Sequence, residues 1–121
     1  MAVLRTLVVT LSPFLCELVT SVLAPEISVD VVGVLPTRER LVEGMREIAP
    51  DIVLLGLGEG EAETADPLLR RTSSVARILA LARNGKSAWL YESPHRRVTL
   101  SDLSVASLKE ALITSLRARS N

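Results

Sequence analysis

Asp51-Ile52-Val53-Leu54-Leu55-Gly56-Leu57 is the stretch on which the fold turns. Pro50 precedes it, and Gly56, Gly58 and Gly60 punctuate its far side. Ile52 to Leu55 is a short, continuous apolar run between breakers. A strand with one wet face alternates apolar and polar residues, whereas a strand covered on both faces, as in a parallel sheet, does not. The run therefore reads as a buried strand, with the three glycines as a loop after it.

Reading outward from it finds the same grammar repeated. Leu4 to Thr10 is another continuous apolar run, Ile27 to Val34 is rich in β-branched residues, and Arg77 to Ala82 gives a fourth strand. Helical spacing fills the gaps. Ser12 is an N-cap and Pro13 suits the first helical position, followed by Phe14, Leu15, Leu18, Val19, Val22 and Leu23, with Pro25 closing the helix. Thr37 is the expected cap of a second helix whose apolar face is Leu41, Met45 and Ile48, ended by Ala49-Pro50. Asp66-Pro67 has the form of a further cap, and Ser104 that of a last one, before Leu108, Ala111, Leu112 and Leu116. Strands alternating with helices imply right-handed crossovers and a parallel sheet.

The alternation breaks between Ala82 and Val98. Gly85 and Pro94 leave too few residues for a comfortable helical crossover. Ala88 to Glu92 and Arg97 to Leu100 are β-prone runs around Ser93-Pro94-His95-Arg96, which reads as a hairpin in place of a fourth helix. A short helix there is the other reading. Trp89 and Tyr91 share one face of the first run. They are either core anchors or, with Arg96 and Arg97, an interface of the aromatic-plus-arginine kind.

The strand pattern resembles a response-regulator receiver domain, closely over residues 4–82 and more loosely over 96–118. The stretches that carry the resemblance are Leu7-Val8-Val9-Thr10-Leu11-Ser12-Pro13 and Ala49 to Leu57, and Ser104 to Leu112 resembles the start of the family's last helix. It implies a three-layer, flavodoxin-like α/β fold with strand order 2-1-3-4-5. It also implies that the family's phosphorylation residues are missing. Thr10 and Leu11 stand where receivers keep two metal-holding acids, and Gly56 stands for the phospho-accepting aspartate. Ala82 replaces the conserved hydroxyl, and Ser101 replaces the lysine, to within a residue or two. Magnesium-dependent phosphoryl transfer needs carboxylates for the hard cation and an oxygen nucleophile. The resemblance thus implies a signalling module that works without phosphorylation, through protein contact, and not an enzyme. In receivers the region of the fourth helix, fifth strand and last helix is the output and dimerisation surface, which is where the unusual hairpin falls.

A second reading keeps the crevice and changes its cargo. In open α/β sheets ligands bind beyond the carboxyl ends of the strands. Thr10, Ser12, Gly56, Gly58 and Arg83 would surround that crevice as a small-ligand site. The glycines lack the spacing of a dinucleotide fingerprint and no Lys-Ser/Thr follows them.

Composition bounds the rest. The 121 residues, 48% of them apolar, suit a single domain spanning 1–121 with one packed interior. Cys16 is alone, which excludes an internal disulfide and fits a reduced, cytoplasmic setting; no Cys/His cluster indicates a metal, and no cofactor is expected. Arg5 interrupts the first apolar run, so it does not read as a signal peptide, and no run approaches membrane-spanning length. Zero net charge hides an imbalance: residues 1–66 hold 4 basic and 11 acidic residues, and residues 67–121 hold 10 and 3. Neutrality overall and the lack of a reading motif argue against nucleic acid. The expected partner is a protein or a second copy of the chain, as in a homodimer. The two oppositely charged halves are expected to form opposite sides of the molecule.

Overall fold

A computed structural model describes residues 2–23, 27–58, 67, 69, 77–82, 87–92, 96–100 and 110. Its elements are β1 (Ala2–Val9), α1 (Pro13–Leu23), β2 (Ile27–Leu35), α2 (Leu41–Ile48), β3 (Ile52–Leu57), β4 (Arg77–Ala82), β5 (Ala88–Glu92) and β6 (Arg96–Leu100), with a 3-10 turn at Arg38–Arg40 before α2. The fold is α/β, built on a mostly parallel sheet in the order β2-β1-β3-β4-β5-β6. Strands β1 to β4 run parallel to one another. β5 runs antiparallel to both β4 and β6, so Ala88–Glu92 and Arg96–Leu100 form the hairpin. The neighbour of β4 is thus an antiparallel strand, and a fifth parallel strand does not lie beside it.

The strands bury two rows of side chains, one on each face. Leu4, Ile52, Leu54, Leu79, Leu81, Ala88 and Leu90 pack with Leu15, Val19, Val22 and Leu23 of α1. Leu7, Val9, Val53, Leu55, Leu57, Ile78, Ala80 and Tyr91 pack with Leu41 and Met45 of α2 and with Leu69, which is helical. Consecutive residues of β3 enter opposite clusters, which is why its sequence shows no alternation. Each fully buried Leu or Ile contributes about 1.5–3 kcal/mol relative to its exposure.

Some local expectations change. Phe14 is 71% exposed, outside the stripe formed by Leu15, Leu18, Val19, Val22 and Leu23. Thr37 makes no side-chain cap; the chain passes through the 3-10 turn and α2 starts at Leu41. Gly56 lies inside β3, paired with Leu81, because the strand continues to Leu57 instead of ending in a glycine loop. Pro25, Gly60, the Asp66 cap, the Ser104 cap and the apolar positions of the last helix lie outside the described residues; Glu110 is helical and exposed.

The β2 edge is not an acidic one. Residues 27–48, around β2 and α2, hold 3 basic and 4 acidic residues, nearly balanced. The acidic surplus of the first half sits largely at Glu59, Glu61, Glu63 and Asp66, outside the described residues.

Asp51 has a structural task. Its Oδ2 accepts a hydrogen bond from the Arg5 N–H at 2.9 Å, and its own N–H donates to the Arg5 carbonyl at 2.8 Å. Arg5 Nη2 donates to the Ile48 carbonyl at 2.8 Å, satisfying a carbonyl at the end of α2, where Ala49 turns left-handed at φ 51°. Side chain and backbone thus fasten α2 and the start of β3 to β1. Replacing Asp51 by Ala is expected to cost about 1 kcal/mol, since it removes one such bond at a half-exposed site. Urea unfolding reads this directly, and an unchanged midpoint would contradict it.

Candidate functional site

The carboxyl ends of β1 and β3 meet where the strand order reverses, the usual place for a site in an open α/β sheet. A cavity of about 250 Å³ opens there, lined by Thr10, Leu11, Ser12, Leu15 and Gly56. The sequence places Thr10, Ser12 and Gly56 in this crevice, and the structure brings those three together. Gly58 follows β3 half-buried and Ala82 ends β4 half-buried, both off the cavity lining. Arg83 and Ser101 lie outside the described residues. Leu15 is the lining residue that sequence reasoning assigns only to the core; its place one turn after the Ser12 cap was the available signal.

Three local devices shape the crevice. Ser12 Oγ accepts from the Leu15 N–H at 3.3 Å and the Ser12 carbonyl accepts from the Cys16 N–H at 3.1 Å, so the cap read from sequence starts α1. Thr10 occupies the left-handed region at φ 50°, a conformation β-branched residues rarely adopt. Two bonds hold it there: its N–H donates to Leu35 O at 3.1 Å, and its Oγ1 donates to Gly56 O at 2.8 Å.

The third device is the glycine itself. A Cβ added at Gly56 would overlap the carbonyl oxygen of Thr10, and would stand 3.0 Å from its carbon and 3.2 Å from Leu11 Cα. All three are backbone atoms, so no rotamer change relieves the overlap. The chain at Thr10-Leu11 fills the space that a side chain at position 56 would need. Chemically, the crevice offers hydroxyls and backbone groups. Among the described residues no carboxylate lines it, and no group of three or more His, Cys, Asp or Glu is placed to hold a metal.

Cys16 sits on α1, half-buried. Burial first, and the neighbouring Glu17 carboxylate second, push its thiol above the usual range. It is protonated at neutral pH and a poor nucleophile.

The hairpin separates the aromatic pair. Tyr91 is 1% exposed and belongs to the cluster that α2 covers, while Trp89 is half-buried against it. Tyr91 is therefore a core anchor and not a contact residue: the face it shares with Trp89 is the one turned inward. Arg97 stands opposite Tyr91 and Arg96 opposite Glu92 in the β5–β6 register. Among the described residues no helix is long and apolar enough to cross a membrane. Compared with known proteins, the chain matches no family model and no curated protein.

Proposed function

We propose that this chain is a receiver-like domain that has lost phosphotransfer and acts as a cytoplasmic regulatory module through protein contact, without enzymatic activity. The observation that carries the reading is the Thr10 backbone lying over Gly56, in a crevice whose described lining residues include no carboxylate. In this reading β2-β1-β3-β4 are the first four strands of a three-layer, flavodoxin-like 2-1-3-4-5 sheet. β6, which runs in the direction of β4, is the fifth, displaced one place outward by β5. The contact surface is the hairpin edge with Arg96 and Arg97, and its partner presents acidic groups, given the 10 basic and 3 acidic residues of the second half.

Incubation with magnesium and acetyl phosphate, followed by intact mass spectrometry, tests the loss of chemistry. No phosphoryl adduct is expected, and one on an aspartate would overturn the reading. Reversal of Arg96 and Arg97 to Glu tests the surface: binding to an acidic protein partner should weaken while the fold survives.

The 250 Å³ cavity supports a second reading, a small-ligand sensor using Thr10, Ser12 and Gly56. A ligand that binds only the native state raises the melting temperature. Metabolite pools that leave the melting temperature unchanged would remove this alternative.

A further inference from the structure

Among the described residues the sheet has two outer strands, β2 and β6, and they are differently guarded. β6 is five residues long and begins Arg96-Arg97. β2 is nine residues long, and its sequence Ile27-Ser28-Val29-Asp30-Val31-Val32-Gly33-Val34-Leu35 holds one charge, no lysine, no arginine and no proline. Proteins blunt exposed edges with charges, prolines or short strands, because an unpaired row of N–H and C=O groups is a template for another strand. Among the described residues β2 has backbone partners only in β1 and in Thr10. Val31 is 45% and Val34 68% exposed along it.

We propose that a second copy of this chain occupies that edge, its Ile27–Val31 running antiparallel about a two-fold axis through Val29. The pairing of β2 with β1 is regular from Ile27 to Val31 and shifts register after that, between Thr6 and Leu7, so the regular stretch is these five residues. Their order is self-complementary. Directly opposite residues in an antiparallel pair lie on the same face. With the axis at Val29, Ile27 meets Val31 of the second copy, Val29 meets Val29, and Ser28 meets Asp30. Apolar faces apolar on one side of the sheet, and on the other a hydroxyl donor faces a carboxylate. A half-residue shift is excluded, since it would set Val29 directly opposite Asp30, which lies on the other face of the strand. Moving it a full residue toward Asp30 sets Asp30 against Asp30, which is repulsive, and moving it toward Ser28 leaves only Ile27 to Val29 of the regular stretch paired with one another. One register therefore satisfies every pair, and the two sheets join into one across an isologous contact. This inference does not depend on how the crevice is used.

The test is sedimentation velocity on the full chain, from low-micromolar to near-millimolar concentration. A concentration-dependent dimer is expected. Ser28 and Asp30 are exposed and on no core contact, so both variants keep the wild-type circular-dichroism melt. Ser28→Asp sets carboxylates opposite one another at two symmetry-related places and should weaken the dimer about tenfold. Ser28→Lys should strengthen it, and the gain should fade with added salt. Val31→Lys, at an exposed position, should weaken it without introducing a repulsive pair opposite Asp30. A wild-type chain that stays monomeric throughout would overturn the proposal. So would a dimer that is indifferent to both Ser28 variants and to Val31→Lys, or one that only Arg96→Glu and Arg97→Glu disrupt, which would place the contact on β6.

Discussion

Replacing Gly56 by aspartate is expected to destabilise the domain by about 3 kcal/mol and still to yield no phosphorylated protein. The new Cβ would overlap the Thr10 carbonyl oxygen and crowd Leu11 Cα, so the turn between β1 and α1 has to move. That turn is held by the Thr10 N–H on Leu35 and by the Thr10 hydroxyl on Gly56. Gly56→Ala, which adds the steric conflict without the charge, is expected to cost about 2 kcal/mol on the same grounds. Urea unfolding of wild type, Gly56→Ala and Gly56→Asp gives the series. If the aspartate variant melts like wild type and takes up phosphate, the turn is soft and the crevice is open to phosphoryl chemistry. Thr10→Gly made beside Gly56→Ala should recover part of the loss, because a glycine adopts the left-handed region freely and lets the turn shift.

The second large effect lies in the hairpin. Tyr91→Ala is expected to cost about 4 kcal/mol, and Trp89→Ala about half of that. Tyr91 is fully enclosed beside Ile78, its register partner in β4, in the cluster that includes Met45 and Leu57, while Trp89 packs against the same cluster only in part. A domain of this size is stable by roughly 5–15 kcal/mol, so the tyrosine change alone brings it near unfolding at ambient temperature. The reading of the pair as an interface predicts the opposite: intact stability and lost association. Denaturant midpoints of the two single variants separate these outcomes, and a Tyr91→Ala protein as stable as wild type would return the pair to the surface.

What the sequence displayed and what it hid follow from the range of the interactions involved. β4 and β5 begin and end where the sequence places them, because β4 is a short apolar run and β5 carries two aromatics, each between polar or glycine-bearing segments. The Ser12 cap was legible because it is made within four residues. The hairpin was legible because a helical crossover did not fit the spacing. Period two told that Trp89 and Tyr91 share a face, but which face turns inward is decided by α2 and β4, far away in sequence. Gly56 looked like the start of a loop because glycine signals a breaker. Its role is close approach to Thr10, 46 residues away, and nothing local announces that. The left-handed Thr10 was equally silent, since threonine is a residue one expects in extended backbone. The crevice was thus legible as a place and in three of its residues, and illegible in the geometry that closes it.

Backbone amide NMR of the full chain, recorded with and without magnesium and beryllofluoride, a stable mimic of the acyl phosphate, addresses the closed crevice most directly. The amides of Thr10, Ser12, Leu15, Gly56 and Ala82 should hold their positions on addition, because none of the described lining residues is a carboxylate and the Thr10 backbone occupies the space beside Gly56. Magnesium-dependent shifts confined to those amides, saturating as the mimic is added, would show a working phosphorylation site and contradict a domain that signals without one.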